Sequence, residues 1–344
     1  MENIYDFTLD KLADKMESLS QKRFRATQLF TWLYKKRVNN FDAMSDVAQG
    51  FRQVLKEIFA INLPEIQVKQ IANDGTIKLL LKMNDGALVE TVLMRYEYGN
   101  AICVSSQVGC NMGCAFCASG LLKKQRDLTV GEMVGQLLVM ENVMESEKIS
   151  HIVVMGTGEP FDNYQNVMDF ISIANNPKAF EIGARHISVS TCGIVPKIIE
   201  YSKTGLQVNL AISLHASNDE TRSRLMKINN AYSINELIDA VKYYEKVTKR
   251  RVTFEYIMLE GINDSLDNAR ELVKLIKGMN AYVNLIPYNV VGESPFKRSS
   301  NNRIHIFCDY LKENGINVTI RKEFGHDIDA ACGQLRAKKE GVIK

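Results

Sequence analysis

The sequence predicts an α/β protein: a partial (βα)6 barrel, TIM-like in outline, preceded by a small helical N-terminal domain and a short β-rich linker. Three observations carry that prediction. The first 60 or so residues place apolar side chains at helical spacing, residues 66 to 106 switch to short β-like runs, and beyond Ser105 apolar strands alternate with helical stretches. The expected units are 1–60, 61–98 and 99–344.

In the first unit Leu9, Leu12 and Met16 recur at helical spacing, and Leu29, Phe30, Trp32 and Leu33 gather in the segment Arg23–Arg37. In the second, Ile77–Lys82 and Leu88–Met94 read as strands, set apart by Asn-Asp-Gly turn signals. In the third, the candidate strands are His151–Met155, Ile187–Ser190, Val208–Leu214, Val252–Met258, Tyr282–Ile286 and Val318–Ile320. Capping boxes at Thr129-Val-Gly-Glu132 and Ser233-Ile-Asn-Glu236 open two of the intervening helices. Repeated βα units imply a parallel sheet, and about six in succession imply a full or partial barrel whose active site gathers at the carboxyl ends of its strands.

The chain has 344 residues, 46% hydrophobic and 24% charged, with a formal net charge of +3. No run approaches the length of a membrane span, and Met1-Glu-Asn-Ile-Tyr-Asp lacks a signal pattern, so a cytoplasmic protein with no membrane partner is expected. Seven cysteines there argue for metal or redox chemistry rather than a disulfide framework. Basic residues cluster at Lys22, Arg23 and Arg25, at Lys35, Lys36 and Arg37, at Lys123, Lys124 and Arg126, at Lys249, Arg250 and Arg251, and at Arg336, Lys338 and Lys339. Each cluster alone reads as a solvated face; only a shared surface makes a nucleic-acid footprint.

Cys110, Cys114 and Cys117 stand in a C-x3-C-x2-C run with no fourth cysteine close by. Three such thiolates can each bind one iron of a cubic [4Fe-4S] cluster, leaving the fourth iron open. A structural zinc site needs a fourth ligand, and the nearest histidine, His151, is distant in sequence. The spacing resembles the signature of the radical S-adenosylmethionine (SAM) enzymes. Gly156-Thr-Gly-Glu-Pro160 follows an apolar strand and reads as a SAM-binding turn, its glycines admitting close approach and its Glu159 able to accept from an ammonium group. Ser190, Ser213, His215 and Asn289 fall at further strand ends, where a lone polar residue is more often a loop hydrogen-bonder than a ligand. By environment alone Cys103 and Cys332 read as buried thiols, as do Cys192 and Cys308.

The runs Cys103-Val-Ser-Ser-Gln-Val-Gly-Cys110, Gly156-Thr-Gly-Glu-Pro160, Ala211-Ile-Ser-Leu-His-Ala216 and Asp327-Ile-Asp-Ala-Ala-Cys-Gly-Gln-Leu335 resemble the RlmN/Cfr family of radical SAM RNA methyltransferases over nearly the whole chain. The resemblance implies a radical SAM barrel with Cys110, Cys114 and Cys117 on a [4Fe-4S] cluster. It assigns SAM contacts to Gly158, Glu159, Ser190, Ser213, Leu214, His215 and Asn289. It makes Cys332 the thiol that takes a methyl group from one SAM, while a second SAM supplies the radical that attaches this carbon to adenine. Glu90 matches the proton acceptor, and Cys103 the thiol that resolves the adduct through a transient disulfide with Cys332.

The implied reaction is methylation at C2 of an adenine in 23S rRNA, and of an adenosine beside the anticodon in tRNA, fed by an electron donor such as flavodoxin or ferredoxin. Cfr-type methylation at C8, which confers antibiotic resistance, is the alternative within the family. Leu285-Ile-Pro-Tyr-Asn289 and Arg298-Ser-Ser-Asn-Asn-Arg303 look more like the RlmN pattern. A non-catalytic iron–sulfur RNA-binding protein is the alternative from another class, and it would need none of Glu90, Cys103 and Cys332. Cys192 stands where many relatives carry serine, a change that alters packing beside SAM rather than the reaction. No heptad signal suggests more than a monomer.

Overall fold

The structure is a computed structural model, and it describes residues 1–145, 147–291, 294–325, 327–328 and 334–341. Thr8 opens the first helix, Leu9–Ser18, by accepting the N–H of Lys11, and the buried stripe Leu12, Ala13, Met16 follows the predicted spacing. Helix Phe24–Phe30 runs on into a π-helical turn, Thr31–Lys35, which together bury Leu29, Phe30, Trp32 and Leu33. Helix Gln49–Ile58 buries Phe51 and Leu55. These side chains share one core cluster with Met133, Val134 and Leu137 of helix Val130–Met144. Asp6 also accepts the Gly131 N–H at 2.8 Å, so the N-terminal helices are seated on that helix.

Ten strands of the described residues form one sheet. In chain order they are β1 (Glu65–Ile71), β2 (Ile77–Lys82), β3 (Leu88–Tyr96), β4 (Gly99–Cys103), β5 (His151–Val154), β6 (Ile187–Thr191), β7 (Asn209–Ser213), β8 (Val252–Met258), β9 (Ala281–Pro287) and β10 (Asn317–Ile320). Each pairs with its sequence neighbours. From β1 to β4 the pairing is antiparallel, and from β4 onward every pair is parallel. The two Asn-Asp-Gly turns make the hairpins: Gly75 and Gly86 have φ of +80° and +89°, and Asp74 and Asp85 accept the N–H of Thr76 and Ala87.

All six expected parallel strands are present, with ends shifted by a residue or two. One difference is instructive. β4 is a further parallel strand, and it joins the expected linker to the barrel sheet without a break. The register Leu79↔Thr91 and Leu81↔Val89 puts Leu79, Leu81, Val89 and Leu93 on the face packed against helix Val130–Met144. Lys78, Leu80, Glu90 and Val92 therefore share the opposite face, which looks into the barrel. Both capping boxes form as expected, at Thr129/Glu132 and Ser233/Glu236.

Candidate active site at the carboxyl ends of the strands

Beyond β4 the chain passes through Gln107–Val108, which pairs with Arg126–Asp127 and closes a loop holding the three clustered cysteines. The loop is pinned by its backbone: Cys110 N–H donates to Leu122 O at 2.9 Å, Ala115 N–H to Leu225 O at 2.9 Å, and Cys117 N–H to Cys114 O at 3.2 Å. Cys110, Cys114 and Cys117 all line one cavity of about 320 Å³, within the usual range for a small-molecule site. Burial pushes the Cys110 thiol up to about 11 and raises Cys114 further, so bare thiolates are disfavoured there. A coordinating metal reverses that preference by deprotonating the thiol outright. Among the described residues no three His, Cys, Asp or Glu side chains are grouped to hold a single ion, whereas a cubane takes one thiolate per iron. The donor set fits a cluster.

Gly156-Thr-Gly-Glu-Pro160 turns tightly after β5. A Cβ at Gly156 would lie 2.7 Å from Ser105 N, and one at Gly158, whose φ is +113°, 2.6 Å from Gln107 Cβ. Gln107 Oε1 accepts the Glu159 N–H at 2.9 Å, tying this turn to the root of the cysteine loop. The Glu159 carboxylate accepts from Phe161 N–H at 2.9 Å and Cys192 N–H at 2.7 Å. Desolvation dominates, and its carboxyl is held above the usual range. The Thr191 and Cys192 side chains also hydrogen-bond to it, so of its four or so lone-pair sites an arriving ammonium group would take over one that a neutral side chain holds.

Ser190 and Ser213, on β6 and β7, line the same cavity with their hydroxyls 3.3 Å apart. His215 also lines it, in the left-handed region at φ +58°. Asn263 Nδ2 donates to its carbonyl at 2.8 Å, and its Nδ1 accepts the Ile257 N–H at 3.1 Å, which leaves the proton on Nε2. Asn289 follows β9 on the cavity wall. Leu214 is the exception: its side chain enters the core, and its N–H and carbonyl are engaged by Glu255 O and Arg222 Nε.

Sequence reasoning missed several residues. Arg222 is buried and donates to the carbonyls of Cys192, Ser213 and Leu214 and to Asn229 Oδ1, bracing three segments of the cavity wall at once. Glu255 and Arg321 line the cavity, and Glu255 accepts from Asn284 Nδ2 at 2.8 Å. Cys192, read as structural, is buried and also lines it. Cys308 is buried beside Ile304 and Phe307 on helix Asn301–Glu313, as expected.

Glu90 and Cys103 lie just behind the wall. Val92, paired with Cys103 across β3 and β4, lines the cavity together with Met94, and Cys103 packs with both. Thr91 Oγ1 donates to Cys103 O at 2.8 Å, and Ser105 Oγ to Glu90 O at 2.7 Å. Cys332 lies outside the described residues. Of the basic clusters, Arg23 pairs with Asp14 and Glu17, Lys35 with Glu181, Lys124 with Asp127 and Asp162, and Arg126 with Asp85 and Glu132. Lys36 lies over the Trp32 ring at 3.3 Å. Among the described residues no helix is long and apolar enough to cross a membrane.

Residues 104–275 match the family model of the Radical SAM superfamily, and residues 2–61 that of the ribosomal RNA large subunit methyltransferase N-terminal domain. The chain is 51% identical to the probable dual-specificity RNA methyltransferase RlmN of Spiroplasma citri, covering all of both proteins. It is 52% identical to the protein of that name from Acholeplasma laidlawii, over 97% of this chain and 99% of the relative. A crystal structure of a radical SAM methyltransferase from Sphaerobacter thermophilus superposes with a TM-score of 0.91 at 42% identity, over 97% of this chain and 99% of that one.

Proposed function

The chain belongs to the RlmN family of radical SAM RNA methyltransferases, and from that premise we propose that it methylates C2 of an adenine in 23S rRNA and of an adenosine beside the anticodon in tRNA. The observation that supports this most is the neighbourhood of Glu90 and Cys103, a carboxylate and a thiol on adjacent strands behind the cavity that Cys110, Cys114 and Cys117 line. A protein that only binds RNA needs neither.

When bound, the [4Fe-4S] cluster and SAM supply, over two SAM per turnover, a methyl group and a hydrogen-abstracting radical made by reductive cleavage of a carbon–sulfur bond. Cys110, Cys114 and Cys117 hold the cluster. Gly158, Glu159, Ser190, Ser213, Leu214, His215 and Asn289 hold SAM, with Leu214 acting through the second lone pair of its carbonyl because its N–H is taken by Glu255 O. Cys332 carries the methyl carbon to the base, and Glu90 takes the C2 proton. The Cys103 thiolate then attacks the Cys332 sulfur: the S–S bond forms and the C–S bond breaks with its electron pair going to carbon. That carbon takes a proton to become the methyl group, and the methylated base leaves; a thiol reductant would return the disulfide to two thiols. An adenine ring carbon is a poor nucleophile, and this relay avoids asking it to attack SAM directly.

Residues 1–60 are the proposed RNA-binding accessory domain, 61–98 the β extension and 99–344 the catalytic core. Since Arg23 and Lys35 carry acidic partners, Lys22, Arg25 and Lys36 are the better candidates for phosphate contacts. The protein is proposed to act as a cytoplasmic monomer with a flavodoxin or ferredoxin as electron donor. Mass spectrometry of methyladenines in rRNA and tRNA, from cells with and without the gene, tests the reading. C2 methylation that disappears with the gene supports it; loss of C8 methylation instead, or no change, overturns it.

A further inference from the structure

Lys78 and Glu90 form an ion pair in the wall of the barrel. Lys78 Nζ lies 3.0 Å from Glu90 Oε2, with side-chain exposures of 0% and 3%. The register of β2 on β3 sets Lys78 opposite Val92 and Leu80 opposite Glu90, so the two charges are diagonal neighbours on the face that Val92 presents to the cavity. The second carboxylate oxygen of Glu90 accepts the backbone N–H of Arg336 at 2.5 Å, at the start of helix Gln334–Lys339. The carboxylate is thus fixed from two sides.

A buried ion pair is a poor source of stability, because desolvation offsets most of its attraction and an apolar pair of like volume does as well. The rest of that face is apolar: Leu80 lies opposite Glu90, Val92 lies opposite Lys78, and Met94 continues the row on β3. An acid and a base placed together there call for a chemical reason. A buried carboxyl without a nearby cation takes up a proton, and a protonated carboxyl cannot receive another.

We infer that Lys78 is a positioning residue for the reaction, holding the Glu90 carboxylate ionised and in place so that it can accept the proton leaving adenine C2. This rests on the role proposed for Glu90 above. In the step concerned the adduct gives up its unpaired electron to a one-electron acceptor, as an oxidised iron–sulfur centre would be. The C–H bond breaks with its electron pair staying in the ring, and the proton passes to a Glu90 oxygen. Among the described residues, the charged and titratable groups on the elements packed about Glu90 include Lys78 and Lys82 on β2, Tyr96 on β3, Cys103 on β4, and Arg336 with its partner Glu340 at the C-terminal helix. Lys78 is the cation in direct contact with the carboxylate.

The test compares Lys78→Met, Lys78→Gln, Lys78→Arg and Glu90→Gln in the full chain. Infrared spectroscopy at neutral pH, on protein without cluster or SAM, should show a protonated-carboxyl stretch in both neutral Lys78 variants. This band is additional to any that the buried Glu159 and Glu255, both raised by desolvation, contribute to every variant; it should be missing from wild type and from Lys78→Arg, and should vanish when Glu90→Gln is added to Lys78→Met. Methylation by the reconstituted enzyme should fall about tenfold or more in the neutral variants, the loss of ionised acceptor expected of any carboxyl that titrates a unit or more above the working pH. Lys78→Arg should recover most of it. RNA should stay attached to the neutral variants, since the adduct forms but does not lose its proton. Lys78→Met that lacks the band and turns over as wild type, beside an inactive Glu90→Gln, overturns this inference alone. Normal turnover by Glu90→Gln overturns both it and the proton-acceptor reading.

Discussion

Glu159 Oε2 accepts the backbone N–H of Cys192 at 2.7 Å, a bond that ties the glycine turn after β5 to the end of β6. The other oxygen holds Phe161 N–H at 2.9 Å, within its own turn. One side chain thereby sets the spacing of two walls of the cavity, and any group it receives from SAM must share the same carboxylate.

Replacing Glu159 by Gln leaves one oxygen where there were two, so one of the two backbone donors loses its acceptor in a buried site. The cost should be about 1–3 kcal/mol of stability. Urea unfolding measures it, and SAM affinity should fall in parallel because the two walls are no longer coupled. Unchanged stability would mean that the turn holds its shape without the carboxylate.

Arg222 should prove more costly to remove. Its guanidinium donates to the carbonyls of Cys192 at 2.7 Å, Leu214 at 3.1 Å and Ser213 at 3.2 Å, all on segments that carry or border the cavity. Arg222→Leu strips partners from several buried acceptors together, at about 1–3 kcal/mol each before relaxation. The expected result is a denaturant midpoint far below wild type and weakened SAM binding, with Arg222→Lys intermediate because one ammonium cannot reproduce the planar fork.

His215 makes a pH prediction. Burial, with a smaller contribution from Arg222, pushes its imidazole down from 6.5 to about 3. The unfolded chain therefore binds a proton below pH 6.5 that the folded protein refuses. Stability from this group is complete above that pH and is lost as pH falls toward 3, by about 1.4 kcal/mol per pH unit. Thermal unfolding across this window should show a steeper acid loss in wild type than in His215→Gln, which has no proton to take up in either state.

Local signals made much of this legible in the sequence. The cysteine run, the glycine turn, the capping boxes and the alternation of strands with helices each depend on residues a few positions apart, and each appears where the spacing puts it. What the sequence hid depends on long-range pairing. Arg222 sits in Asp-Glu-Thr-Arg-Ser-Arg, which reads as a solvated helix, although it shares a face with the buried Leu225 three residues on. The strands β2 and β3 are covered on both faces, so hydrophobic alternation could not say that Lys78 and Glu90 turn inward together. Arg23, Lys35 and Arg126 read as members of solvated basic clusters, and the pairing of Arg23 with Asp14, Lys35 with Glu181 and Arg126 with Asp85 is set by the fold rather than by adjacency in the chain.

The two thiols of the proposed relay should fail at different stages, which separates them although both lie outside the cluster motif. Without Cys332 there is no methyl acceptor, so Cys332→Ala should neither become methylated nor attach to RNA, even with its cluster intact. Cys103→Ala keeps the acceptor and should form the carbon bond to adenine. It then has no thiol to attack the Cys332 sulfur, and RNA should remain covalently attached to the protein. Cys103 packs with Val92, Met94 and Ala101, and alanine there removes only a sulfur from that apolar group, so the fold should survive with a loss of about 1 kcal/mol. A denaturing gel of purified Cys103→Ala, run with and without ribonuclease, should show a nuclease-sensitive shift that the double variant Cys103→Ala/Cys332→Ala lacks. Unshifted Cys103→Ala with normal turnover would take Cys103 out of the mechanism and leave it a packing residue behind the cavity wall.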